Sequence, residues 1–153
     1  MKIRPFITGD ETAVVALWRK CNLVRPQNDP KKDIARKMKV DPELFLVGVD
    51  GDKVVAAVMG GYDGHRGSVY YLSVDPAYQK KGLGRQIMRA IEEKLQARGC
   101  PKVNLMFRTD NSKVEKFYEN IGYKRDACIE MGKRLIPDQD KECPRSNNHA
   151  KKH

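Results

Sequence analysis

Between Ser68 and Phe107 the chain reads as a strand, a glycine turn, a long amphipathic helix and a second strand, and few folds accommodate that order. Two strands joined through a crossover helix must lie parallel, because a tight turn can join only antiparallel neighbours. The helix is marked by Leu83, Ile87, Met88, Ile91 and Leu95 on one face, and by Gly99 and Pro101 just past its end. Upstream, Leu44–Val49 and Val54–Met59 flank the turn Asp50-Gly51-Asp52, the pattern of a β-hairpin. A second turn, punctuated by Gly60, Gly61, Gly64 and Gly67, leads into the strand Ser68–Val74. A mostly antiparallel sheet must therefore contain one parallel pair, 68–74 beside 103–107.

The remaining elements follow from caps and periodicity. Ile3 and Phe6 suggest a short first strand. Thr8-x-x-Glu11 has capping-box spacing, and Val14, Leu17, Trp18 and Cys21 then recur with helical period. Asp29-Pro30 reads as an N-cap and an N1 proline opening a second helix that buries Ile34 and Met38. Ser112-x-x-Glu115 is a second capping box, and Val114, Phe117, Tyr118 and Ile121 carry the helix it opens as far as Gly122. Residues 123–136 should add two closing strands. The expected class is mixed α/β, with an element order of β-α-α-β-β-β-α-β-α-β-β and about four helices flanking the sheet. One domain then spans 1–136, and the polar stretch 137–153, which has little to bury, reads as a disordered tail.

The net charge of +10 at pH 7 raises the question of a polyanionic partner. The lysines and arginines are spread along the chain, and no nucleic-acid-binding motif accompanies them, so no nucleic-acid partner is expected. No apolar run approaches the roughly 20 residues of a membrane helix, and Met1–Thr8 lacks a signal-peptide core, so the expected location is the cytoplasm with no membrane partner. Cys21, Cys100, Cys128 and Cys143 are far apart, which suits free thiols in a reducing compartment. The three histidines have no ligand spacing, and no metal is expected.

The chemistry concentrates in Gln79-Lys80-Lys81-Gly82-Leu83-Gly84, where the strand 68–74 passes through a turn into the long helix. Glycines there let backbone approach a ligand, and free N–H groups backed by the helix N-terminus form an anion cradle. Lys80, Lys81 and Arg85 add attraction. A dinucleotide fingerprint would need glycine at Ile87, and the Walker A spacing is absent. By themselves, two glycines could equally well do no more than tighten a surface turn.

The context narrows this. Gln79, Gly82 and Gly84 match Q/R-x-x-G-x-G/A, and Asn111, Phe117-Tyr118 and Gly122-Tyr123 match N-x-x-x-x-x-F-Y-x-x-x-G-F/Y. In both motifs and in element order, residues 1–136 resemble the GNAT superfamily of N-acetyltransferases, in particular its small bacterial members. The resemblance implies acetyl-CoA as acetyl donor, lying between splayed strands 68–74 and 103–107. It would be held by Leu72, Val74, Gln79, Lys80, Lys81, Gly82, Leu83, Gly84, Arg85, Asn111 and Tyr118. It also implies that Tyr118 acts as general acid toward the departing thiolate, although the same tyrosine lies on an apolar stripe and could be core. The family position that often carries a glutamate base is Met106 here, which leaves Asp63 and His65, or a water chain, as base candidates. Arg25, Asn28 and Asp29, between the first two helices, are the acceptor-binding candidates, with Asp29 also readable as a helix cap. The expected partner is a small-molecule or peptide amine, for a monomer or homodimer. A module of the same fold that binds acyl-CoA without turnover is the alternative.

Overall fold

A computed structural model describes residues 1–139. Five strands, β1 Lys2–Pro5, β2 Phe45–Asp50, β3 Lys53–Tyr62, β4 Gly67–Val74 and β5 Val103–Leu105, form one sheet in the order β1-β2-β3-β4-β5. Every pair is antiparallel except β4–β5, as the crossover helix requires. Four α-helices, α1 Glu11–Lys20, α2 Pro30–Lys37, α3 Leu83–Ala97 and α4 Ser112–Asn120, complete the expected mixed α/β architecture.

The helices divide between two faces of the sheet, and each face has its own core. On one, Val14, Leu17 and Trp18 of α1 and Ile34 of α2 pack with Phe6, Phe45, Val47, Ala57 and Met59. On the other, Ile87, Met88, Ile91 and Leu95 of α3 and Tyr118 of α4 pack against Leu44, Leu46, Ala56, Val58 and Val69. β2 and β3 are apolar at consecutive positions because both of their faces are covered, as in a sheet sandwiched between helix layers.

Several local expectations are corrected. Thr8 does not cap α1: residues Thr8–Asp10 form a single 3-10 turn, and the Asp10 carboxylate accepts from Ile7 N at 2.9 Å while bonding Arg4. At α4 the cap is Asn111, one residue before the expected Ser112, and its Oδ1 accepts from Val114 N. Asp29 does cap α2, accepting from Lys31 N at 2.9 Å and Lys32 N at 3.3 Å.

The two closing strands expected in 123–136 are absent. β5 presents only three residues of edge. The charged side chains of the following segment are engaged elsewhere, Arg125 with Glu115 and Asp126 with Lys102, both at 2.7 Å. The polar stretch read as a tail begins differently from expectation. Asp138 is buried against α2, which extends the packed chain past residue 136, while residues 140–153 lie outside the described residues. Cys21, Cys100 and Cys128 are free thiols; Cys143 also lies outside the described residues.

Candidate active site

The site begins where β4 and β5 part. Only Gly67, Ser68 and Val69 pair with β5, opposite Val103, Asn104 and Leu105, whereas β4 runs on to Val74. From Tyr70 onward the β5 side of β4 has no ladder partner among the described residues, which leaves a wedge between the strands. Just past that point the register of β3 against β4 shifts: Tyr71 and Leu72 together oppose Val58. This is a β-bulge, and Tyr71 takes the left-handed conformation with φ +54°. A bulge leaves backbone polar groups unpaired and turns them out of the ladder.

At its far end β4 enters the glycine turn. Val74 O accepts from Gln79 Nε2 at 3.1 Å and from Cys21 Sγ at 3.3 Å, so Gln79 ties the turn to the strand. Asp75 is buried, accepts from Ala77 N, and faces Lys20 at 3.2 Å and Lys53 at 3.6 Å. These donors and cations hold its carboxyl below the usual range. Gly82 is the N-cap of α3 at φ +77°, a conformation costly for a residue with Cβ.

The first bond of α3 runs from Gln86 N to Gly82 O. The N–H groups of Leu83, Gly84 and Arg85 therefore have no intrahelical acceptor and point out of the helix end. Lys80 and Lys81 precede that end and Arg85 lies in its first turn, all three exposed, with Arg85 donating to Asn120 O at 3.4 Å. Lys81 also lies over the Tyr78 ring, 5.1–5.3 Å being the span of the two lysines stacked on it. Gly84 also has a packing task. A Cβ there would stand 3.1 Å from Phe117 Cζ, so this glycine brings α3 close to α4.

That close approach places Tyr118 beside the wedge. Its ring packs near Phe107 at 5.7 Å, Phe117 at 5.2 Å and Tyr123 at 5.7 Å, in a cluster that includes Leu72 and Val74. The hydroxyl has no protein partner among the described residues, and burial pushes its pKa up to about 12. At neutral pH the group is a phenol with a proton to give. Leu72 and Val74 of β4 share an apolar cluster with Tyr118, the turn Gln79–Arg85 follows the end of the same strand, and Asn111 caps the helix that carries Tyr118.

The other sequence candidates lie apart from the wedge. Asp63 and His65 occupy the exposed β3–β4 hairpin, where Asp63 Oδ1 accepts from His65 N at 2.7 Å and Arg66 N at 2.8 Å. These bonds are local turn chemistry and hold the Asp63 carboxyl below its ordinary range. Arg25, Asn28 and Asp29 do come together, lining a cavity of about 470 Å³ with Arg19, Lys31 and Gln139. Met106 is exposed beside β5, where it offers no proton acceptor.

Sequence reasoning missed the network that builds the α2 side. Asp138 accepts from Arg36 at 2.5 Å and from Asp29 N at 2.8 Å, and these two donors hold its carboxyl at about 2, while its backbone carbonyl accepts from Lys32. Arg134 donates to Asn28. Tyr71 reaches across to donate to Asp33 Oδ2 at 2.5 Å, while its ring stacks on Trp18 at 3.9 Å. Trp18 Nε1 is the single buried side-chain nitrogen or oxygen without a hydrogen-bond partner among the described residues. No local spacing announces these pairs, which join residues 38 to 109 positions apart.

Comparison with known proteins places this geometry. The model of the "Acetyltransferase (GNAT) family" matches residues 12–123. An acetyltransferase of Pectobacterium atrosepticum is 50% identical over 140 residues, covering 92% of this chain and 99% of that protein. Among solved structures, the ribosomal-protein-S18-alanine N-acetyltransferase of Escherichia coli superposes with TM-score 0.67 at 21% identity, over 79% of this chain and 76% of that one. The aminoglycoside 6'-N-acetyltransferase of Acinetobacter haemolyticus does so with TM-score 0.65 at 13% identity, over 89% of this chain and 100% of that one. One fold thus serves a protein acceptor and an antibiotic, and similarity of fold leaves the acceptor open.

Proposed function

The chain belongs to the acetyltransferase (GNAT) family, and from that premise we propose that it transfers an acetyl group from acetyl-CoA directly to a primary amine. The observation that carries this reading is the wedge between β4 and β5, which ends on the unpaired N–H groups of Leu83, Gly84 and Arg85 and has Tyr118 beside it.

The residues fit such a donor. The diphosphate of CoA matches an anion cradle at a helix N-terminus with Lys80, Lys81 and Arg85 beside it in the chain. A pantetheine arm carries amides that can pair with the edge of β4 at Leu72, and at Val74 by displacing the Gln79 or Cys21 side chain from its carbonyl, as a further strand would. Acetyl-CoA supplies an activated acyl thioester. Unpaired backbone groups near the bulge would stabilise charge on its carbonyl oxygen, a contribution of about 3–4 kcal/mol for a well-aimed donor. Tyr118 would donate its phenolic proton to the departing sulfur. Holding amine and thioester together supplies much of the remaining rate.

The reading is tested by thiol release from acetyl-CoA with a panel of amines: amino acids, polyamines, aminoglycosides and peptides with a free N-terminus. Turnover of at least one is expected, together with CoA binding by calorimetry. CoA binding without turnover on any amine would favour the non-catalytic acyl-CoA-binding alternative. In the cell the acceptor would be met in the cytoplasm.

A further inference from the structure

We propose that Asp33 is the carboxylate that receives the acceptor's ammonium group and its first proton, with Tyr71 as the positioning residue that ties Asp33 to the bulge of β4. The inference rests on the acetyl-transfer reading above and supplies the proton acceptor that Met106 cannot be.

The geometry narrows the choice. Successive residues of a strand point to opposite faces, but at the bulge Tyr71 and Leu72 divide between the two cores. Leu72 packs with Tyr118 on the α3–α4 side, and Tyr71 packs with Trp18 on the α1–α2 side. An acceptor that approaches the wedge from the α1–α2 side meets Tyr71 first, and the carboxylate bonded to Tyr71 is Asp33.

The carboxylates nearest Asp33 on that side are committed, and Glu11 stands in the first turn of α1, at the end away from Trp18. Asp29 holds the N–H groups of Lys31 and Lys32 as a helix cap. Asp138 has a fully buried side chain held by Asp29 N and Arg36, and Asp75 is buried between Lys20 and Lys53. Asp33 differs. Tyr71 donates to one of its oxygens, and Arg36 reaches the other at 3.3 Å while lying closer, at 2.5 Å, to Asp138. Its side chain is 24% exposed, so one flank remains open to a cation. Asp63 and His65 stand beyond the start of β4, about 13 Å of strand from Tyr71 at roughly 3.3 Å per residue.

The proton balance closes. The bound ammonium gives one proton to Asp33, which passes it to solvent along its open flank. The freed nitrogen forms the C–N bond as the C–S bond breaks. The electron pair leaves with sulfur, which takes the Tyr118 proton, and the second proton shed by nitrogen restores the phenol. Acetyl-CoA and ammonium become amide, CoA thiol and one proton.

The test compares two nucleophiles with acetyl-CoA: the best ammonium acceptor from the amine panel, and hydroxylamine, which is uncharged at neutral pH. Asp33→Asn keeps an oxygen for Tyr71 and removes the charge. It should lower kcat/KM for the ammonium acceptor on the order of 10- to 100-fold, the range for losing a charge-assisted bond. The KM for acetyl-CoA and the rate with hydroxylamine should hold. Tyr71→Phe repeats the test without altering the carboxylate and should give a smaller loss with the same selectivity. Equal losses with both nucleophiles would make Asp33 structural, and unchanged kcat/KM would remove its role; either result overturns the inference and leaves the donor site standing. Turnover of hydroxylamine alone would do the same. CoA binding with no turnover of any nucleophile would instead remove the transferase reading, and this inference with it.

Discussion

The two halves of the site are built by opposite strategies. The donor half runs through one stretch of chain, from β4 through the glycine turn and α3 to Tyr118 on α4, and its parts are placed by short-range rules: a strand end, a helix N-terminus, a capped helix. The acceptor half proposed above is assembled from pieces that meet only in the folded protein. Asp33 meets Tyr71, Asp29 meets Asp138 and Asn28 meets Arg134. A contiguous site can keep its shape while the rest of the surface changes, which suits a donor shared by acetyltransferases with different acceptors. A site sewn together from distant parts changes whenever one part moves.

The largest effect that can break this comparison belongs to Gly82. Its φ of +77° is costly for any other residue, and glutamate would add a negative charge at the mouth of the anion cradle. Gly82→Glu should abolish measurable CoA binding by calorimetry, at least a 100-fold loss, while the α2 side keeps its hydrogen-exchange protection. CoA affinity like that of the wild type would mean that the cradle is not at this turn.

Next comes Tyr118. General acids contribute about 10²- to 10⁴-fold, and a phenol at about 12 is protonated throughout the physiological range. Tyr118→Phe should therefore lower kcat at least 100-fold at pH 8 with CoA affinity within about threefold. The ring contacts with Phe107, Phe117 and Tyr123 survive the change, so the variant should fold. Full activity would return the tyrosine to the core.

These two residues show which parts of the proposed donor half carry a signal in the sequence. The Gly82 and Gly84 spacing, the strand before it and the amphipathic stripe through Leu95 are patterns of period and punctuation, and the sheet with its single parallel pair followed from them. Even there the reasons were only partly readable. Gly84 is small because Phe117 stands against it, a contact 33 positions away that no spacing reveals. The acceptor half was read as three residues of one loop, Arg25, Asn28 and Asp29. The members proposed to join them are an aspartate in mid-helix, a tyrosine on a bulge and an aspartate in the polar stretch after residue 136. Polar residues carry no periodic signal, and their partners are set by tertiary packing.

Asp138 allows the acceptor half to be perturbed by pH. Its carboxyl titrates at about 2 in the fold, below the roughly 3.9 of an unfolded chain, because Arg36 and Asp29 N bind its charged form. A depressed carboxylate stabilises the fold above its unfolded pKa and loses that contribution as pH falls through its folded pKa. The difference in Tm between wild type and Asp138→Asn should thus be largest above pH 5 and shrink between about pH 4 and pH 2. Exchange protection should fall around Pro30–Lys37, with CoA affinity unaffected. A difference that does not vary with pH would mean that Asp138 acts by packing rather than by charge.

The smallest effect sharpens the comparison most finely, because Asn111 could serve both roles within the donor half. Its Oδ1 accepts from Val114 N at 3.3 Å, a long bond on an exposed helix end, so Asn111→Ala should cost about 0.5–1 kcal/mol, the low end of N-cap losses. For a chain of this size that is about 1–4 °C in Tm. If Asn111 only starts α4, CoA affinity should change less than about threefold, because Tyr118 sits two turns further along and Phe117 still locks the helix against Gly84. A loss of CoA affinity out of proportion to the Tm shift would place its amide on the ligand itself. The expected outcome is the first, since a side chain already accepting from Val114 N has its oxygen committed to the helix.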